Sequence, residues 1–285
     1  VKITFLGTAA AEGYPDPFCR CDNCEGARRI GGKALRKRAS ALIDDVFLID
    51  FGPDLLPASQ IHNVPLTGVE YAAQTHPHDD HFFFGNFIHR TDRCLVNDAP
   101  RLQYAVSPWV ARQFKVEGAG YFRDEDDLGS KHFPSLKVDL VVQDAWETVT
   151  LGPYSILAIP AEHAPGRQAR ILAIRKGDGP AFLYGTDTAP MPDGVWERVA
   201  KEGWSFDLVI MDHTHGTEKN SSVHHSSESM LLEVERMKQA GAATGSTRII
   251  AHHFAHHSNP LPDEFDTFAG ERGYEVAWDG LVVNV

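Results

Sequence analysis

Thr75-His76-Pro77-His78-Asp79-Asp80-His81 crowds three imidazoles and a carboxylate into the pattern His-x-His-x-Asp-His. Imidazole nitrogens and carboxylate oxygens are the usual ligands of zinc and its first-row neighbours. In an extended segment side chains alternate with period two, so His76 and His78 point the same way and can grip one ion. Asp80 and His81, just past a turn, would face a second. The run follows a short strand-like stretch at 68–74, and a buried helix is expected to start within 82–88.

The chain has 285 residues, 42% hydrophobic and 23% charged, enough to bury a full core. No linker divides it and no repeat is visible, so one domain over 1–285, built of layered helices and sheets, is the economical reading. No apolar run reaches the ~18 residues of a membrane span, and the residues from Val1 on do not read as a signal peptide. A cytoplasmic location and no membrane partner are therefore expected. The formal charge of −12 sets the surface against phosphate backbones, which excludes an extended nucleic-acid partner. Fifteen histidines are the anomaly, and they cluster.

Three of the four cysteines form Cys19-x-Cys21-x-x-Cys24. That crowding disfavours a disulfide framework, and thiolate metal ligation is the better reading. Cys94 stands alone and reads as a packing cysteine.

A strand at 1–7 runs into small residues, and a Pro-punctuated loop at 14–18 delivers the cysteines. The basic stretch 28–38 reads as a solvated loop or helix. Strands at 40–43 and 46–52 form a hairpin around Asp44-Asp45. A helix is expected at 107–114 and a long loop or lid at 117–134. Strand-like runs follow at 136–142, 154–159, 171–174, 181–184, 208–211 and 248–251, with a helix at 195–201. Ser226 or Ser227 can N-cap a further helix that ends before Gly241, with Met230, Leu231, Val234 and Met237 on one face.

Open sheets place their sites at the C-terminal ends of strands. His163, Asp187 and the group His252, His253, His256 and His257 all follow predicted strands, as do His213 and His215. The bland surface or core reading suits His62, His89 and His132. Asp50 and Asp54 are candidates for ordering loops or backing a metal-bound histidine.

In this order the chain resembles the metallo-β-lactamase superfamily, through His76, His78, Asp80, His81, then His163, Asp187 and His253. The resemblance implies a four-layer αββα sandwich with two divalent ions at one edge. His76, His78 and His163 would hold the first, Asp80, His81 and His253 the second, and Asp187 would bridge. Zinc or manganese would fill this site. Taking His253 rather than His252 rests on the three-residue step to His256.

A narrower resemblance lies in Phe5-Leu6-Gly7-Thr8, Glu12-Gly13-Tyr14-Pro15 and Cys19-Arg20-Cys21-Asp22-Asn23-Cys24. These are similar to the cyclic-phosphate phosphodiesterases of bacterial phosphonate breakdown (the carbon–phosphorus lyase pathway). That likeness implies a structural zinc on Cys19, Cys21, Cys24 and His256, and His224 as general acid just before a helix. The implied activity is hydrolysis of a small phosphodiester, cyclic ones included, by a water activated between the ions, with Asp80 in the catalytic set. Homodimers are common in such enzymes. The same fold also admits a tRNA 3′-processing nuclease and lactone or thioester hydrolases. A non-hydrolytic member linked to pyrroloquinoline-quinone synthesis shares the cysteine loop.

Overall fold

Ser40–Ile43 and Phe47–Ile49 show how the layers arise. Ala41, Ile43, Phe47 and Ile49 enter one buried cluster, whereas Leu42 and Leu48 enter another. Successive strand side chains face opposite ways, so a strand apolar on both faces must be covered on both. Asp44 and Asp45 between them take positive φ, 50° and 62°, as a tight two-residue hairpin turn requires.

The computed structural model describes residues 1–123, 133–218 and 223–285, and among these the chain forms two seven-stranded sheets. The first contains β1 (Lys2–Gly7), β2 (Ser40–Ile43), β3 (Phe47–Ile49), β4 (Tyr71–Ala73), β5 (Leu102–Val106) and β6 (Val138–Val142). The second contains β7 (Thr148–Leu151), β8 (Tyr154–Pro160), β9 (Arg170–Lys176), β10 (Ala181–Gly185), β11 (Phe206–Asp212), β12 (Ala243–His252) and β13 (Glu275–Val276). The last strand, β14 (Val282–Asn284), returns to pair with β1.

In each half the chain runs antiparallel first, β1 to β3 and β7 to β10, then parallel, β3 to β6 and β10 to β13. The backbone therefore repeats where the sequence shows no repeat, because strand pairing asks for alternation and not for particular residues.

The outer face of the first sheet is covered by α2 (Leu55–His62), α3 (Gly85–His89) and α4 (Pro108–Phe122), through Leu55, Phe87, Val110 and Phe114 against Leu48, Tyr104 and Val106. The second sheet is covered by α6 (Val195–Lys201), α7 (Ser227–Ala240) and α8 (Pro262–Gly270). Their Trp196, Met230, Val234, Met237 and Phe265 join the large cluster that also fills the space between the sheets. The expected αββα sandwich is the observed one.

Three expectations need correction. The 117–134 loop is in its first part helix, since α4 continues to Phe122; residues 124–132, His132 among them, lie outside the described residues. The basic stretch 28–38 begins in α1 (Asp22–Ile30) and is not all solvated. Arg36 is buried and donates to Thr8 Oγ1 (3.0 Å), and burial pushes its guanidinium down to about 10. Cys94 is exposed rather than packed, closing a short 3-10 turn, Asp92–Cys94. The buried helix expected to start within 82–88 is the short α3, which begins at Gly85.

Candidate metal centre

The loop after β4 brings His76, His78, Asp80 and His81 to one edge of the sandwich. His163 reaches the same edge from the loop after β8, Asp187 from beyond β10, and His253 from the residue after β12. Asp50, Asp187 and His253 all have positive φ (65°, 54° and 62°), a conformation non-glycine residues adopt at a cost. Strain of this kind concentrates where geometry serves chemistry.

Two groups of donor atoms meet. In the first, His78 Nδ1 lies 3.0 Å from His76 Nε2 and 3.1 Å from His163 Nε2. In the second, His81 Nε2 lies 3.1 Å from Asp80 Oδ2, and His253 Nε2 lies 3.8 Å from the same oxygen. Asp187 stands between them: its Oδ2 is 2.7 Å from His81 Nε2, 3.1 Å from His253 Nε2 and 3.5 Å from His76 Nε2, while Oδ1 is 3.7 Å from His163 Nε2. Ligands of a tetrahedral ion at ~2.0–2.1 Å sit about 3.3 Å apart, so these spacings suit two small cations.

The tautomers agree. His81 Nδ1 donates to Asp50 Oδ2 at 2.7 Å, which leaves its Nε2 lone pair facing the cluster. The Thr75 hydroxyl donates to Asp50, so it accepts from His76 Nδ1 (3.0 Å). Thr214 Oγ1 donates to the His253 carbonyl and accepts from His253 Nδ1 (2.8 Å). His81 Nε2, His253 Nε2 and Asp187 Oδ2 are buried and, although the oxygen stands 2.7 and 3.1 Å from the two nitrogens, none makes a hydrogen bond of good geometry. Buried polar atoms are seldom left orphaned, and a cation among them would satisfy all three.

Electrostatics point the same way. Burial alone would raise the Asp80 and Asp187 carboxyls, yet the facing imidazoles hold both below the usual carboxylate range. Burial would lower His253, but Asp187 and Asp80 drive it up to about 10. Two buried carboxylates thus demand positive charge, and these residues fit a pair of divalent ions.

His252, the alternative to His253, is buried away from the cluster, with Nε2 3.1 Å from the Gly7 carbonyl and Nδ1 3.2 Å from Thr186 Oγ1. His213 is also internal, between Asn259 and Tyr274. His215 lies at the rim, Nδ1 on Glu218 (2.9 Å) and its ring stacked on His224.

His224 sits beside the second group. Its Nδ1 is 2.9 Å from Asp212 Oδ2, and although burial lowers an imidazole, Asp212 raises this one. Asp212 ends β11, is fully buried, and also accepts from Thr214 N (2.9 Å) and His225 N (3.2 Å). The sequence reading missed Asp212, although it is a strand-end carboxylate like those the same rule singled out. His78, His163 and His224 line one cleft of about 750 Å³ together with Glu162, Pro165 and Val223.

A separate cluster joins the two ends of the chain. Cys19, Cys21, Cys24 and His256 offer donor atoms all within 4.8 Å of one another, with Cys21 Sγ 3.5 Å from His256 Nδ1. Four ligands of this kind make a closed tetrahedral zinc set. Cys21 N-caps α1, and Asn23 Nδ2 donates to the His256 carbonyl (2.8 Å). Asp50 and Asp54 also separate here: Asp50 backs His81, while Asp54 accepts from Arg38 Nε (2.8 Å) and holds a loop.

The β-lactamase superfamily domain matches residues 46–254. The chain is 22% identical over 318 residues, spanning all of both chains, to "Coenzyme PQQ synthesis protein B" of Azoarcus sp. (strain BH72). Among solved structures it is similar to a diphosphatase from the PhnP family, with TM-score 0.70, 19% identity, and 99% of this chain and 96% of the other covered. It is also similar to zinc-bound PqqB from Methylobacterium extorquens, with TM-score 0.68, 17% identity and both chains covered in full. With a family match over most of its length, and the two-sheet fold to go with it, the chain belongs to the β-lactamase superfamily and has the metallo-β-lactamase fold.

Proposed function

We propose that the protein is a binuclear metal-dependent phosphodiesterase acting on a small phosphodiester, cyclic sugar phosphates and nucleotide-like esters included. The observation that carries this reading is the His224–Asp212 pair on the cleft that His78 and His163 also line. His76, His78 and His163 would hold one divalent ion, Asp80, His81 and His253 the other, with Asp187 between. Two such ions, zinc or manganese, lower the pKa of a water and offset charge building on phosphoryl oxygens.

The chain's own residues supply the rest. Asp212 accepts from His224 Nδ1, so Nε2 is the ring nitrogen that would pass a proton to a departing alkoxide. Thr214 N and His225 N fix Asp212, so the ring has one orientation. Asp50, Thr75 and Thr214 keep His81, His76 and His253 in the tautomer that presents Nε2. Cleft volume supports a small substrate.

The test is a panel of bis(p-nitrophenyl) phosphate, a cyclic sugar phosphate, a lactone and a thioester, offered to protein loaded with zinc or manganese. Turnover of the phosphodiesters is expected; activity on the lactone or thioester alone would sink the proposal. A second reading, a part in coenzyme PQQ synthesis, is favoured by the full-length similarity to proteins of that name. Metal analysis separates the two. A filled cysteine site with an edge site that stays empty after supplementation would favour the second.

A further inference from the structure

On the far side of the first sheet, away from the metal centre, α2 and α3 part over the outer face of β3. The gap is a cavity of about 180 Å³ lined mainly by apolar side chains such as Phe51, Leu55 and Leu66, with Asn86, His89 and Arg90 among its polar residues.

Arg90 is anomalous. Its NH2 donates to the Pro100 carbonyl at 2.7 Å, a neutral acceptor. Its NH1 is buried and has no hydrogen-bond partner, and among the described residues no carboxylate pairs with the guanidinium. Burial pushes the group down to about 10, and among the described residues no neighbouring charge opposes it. Buried charges are normally paired, and an apolar pocket ending in an unpaired guanidinium has the layout of a site for an amphipathic anion.

We propose that this pocket is a second small-molecule site, and that it takes a short-chain monocarboxylate. The alkyl chain would lie against Phe51 and Leu55, and the carboxylate would pair with Arg90. No residue of the metal centre takes part.

Titration calorimetry on the metal-loaded protein with hexanoate and with hexan-1-ol tests this. Hexanoate should bind saturably and at least about tenfold more tightly than the alcohol. Arg90→Gln should abolish that preference, and Ser59→Trp, which fills the cavity from α2, should abolish binding of both. Circular dichroism checks that both variants fold. No saturable binding up to about 10 mM would overturn the proposal. So would equal binding of the two ligands, or hexanoate binding unchanged in both variants, as expected were it held by the metals.

Discussion

His224 and Asp212 are the residues on which the proposed chemistry turns. His224→Ala should lower phosphodiester turnover by about 10²–10⁴-fold while metal content per chain stays constant. Asp212→Asn should lose turnover in the same range, since an amide can present its N–H to the ring and release the tautomer. Steady-state kinetics beside metal analysis checks both. The Arg38–Asp54 pair is a different case: it lines no part of the cleft, and it holds a loop that lies within electrostatic reach of Asp80. Burial raises the Asp54 carboxyl, but hydrogen bonds from Arg38 hold it below its ordinary value. A depressed folded pKa contributes stability above the unfolded value of about 3.9 and loses it as pH falls through the folded one. Asp54→Asn should therefore cost about 1–2 kcal/mol at neutral pH, and the gap to wild type should close in acid, measured by urea unfolding.

At the scale of elements, the His-rich loop 76–81 depends on how tightly the end of β3 meets it. A Cβ on Gly52, just after β3, would collide with the Asp80 carbonyl. Gly52→Ala should push that loop off β3, costing about 1–3 kcal/mol in thermal unfolding and lowering metal occupancy. The hairpin, α6 and α7 were legible because turn, cap and periodicity agreed: Ser226 caps α7 and Gly241 ends it in the left-handed conformation. The second half of α4 was not. Gly118 and Gly120 read as loop, yet Phe114 is buried beneath this helix and Tyr121 packs on Phe84 at 5.1 Å. Packing of that kind outweighs local propensity.

Across the whole molecule, the cysteine cluster ties the N-terminal loop to the segment that carries both His253 and His256. Phe254 between them hydrogen-bonds to Thr8 through its N–H and to Ala10 through its carbonyl. Cys24→Ser should therefore lower the melting temperature and also reduce metal at the edge site, read by elemental analysis after gel filtration. Simple loss of one zinc per chain, with the edge site full, would separate the two sites.

The sequence by itself determined the donor residues, their order and the strands that carry them, because donor chemistry and period-two alternation are local properties. Placing Asp212 behind His224, and leaving Arg90 without a counter-ion among the described residues, were decided only by tertiary structure. Those relations join residues far apart in the chain, and their distances exist only once the two sheets have packed.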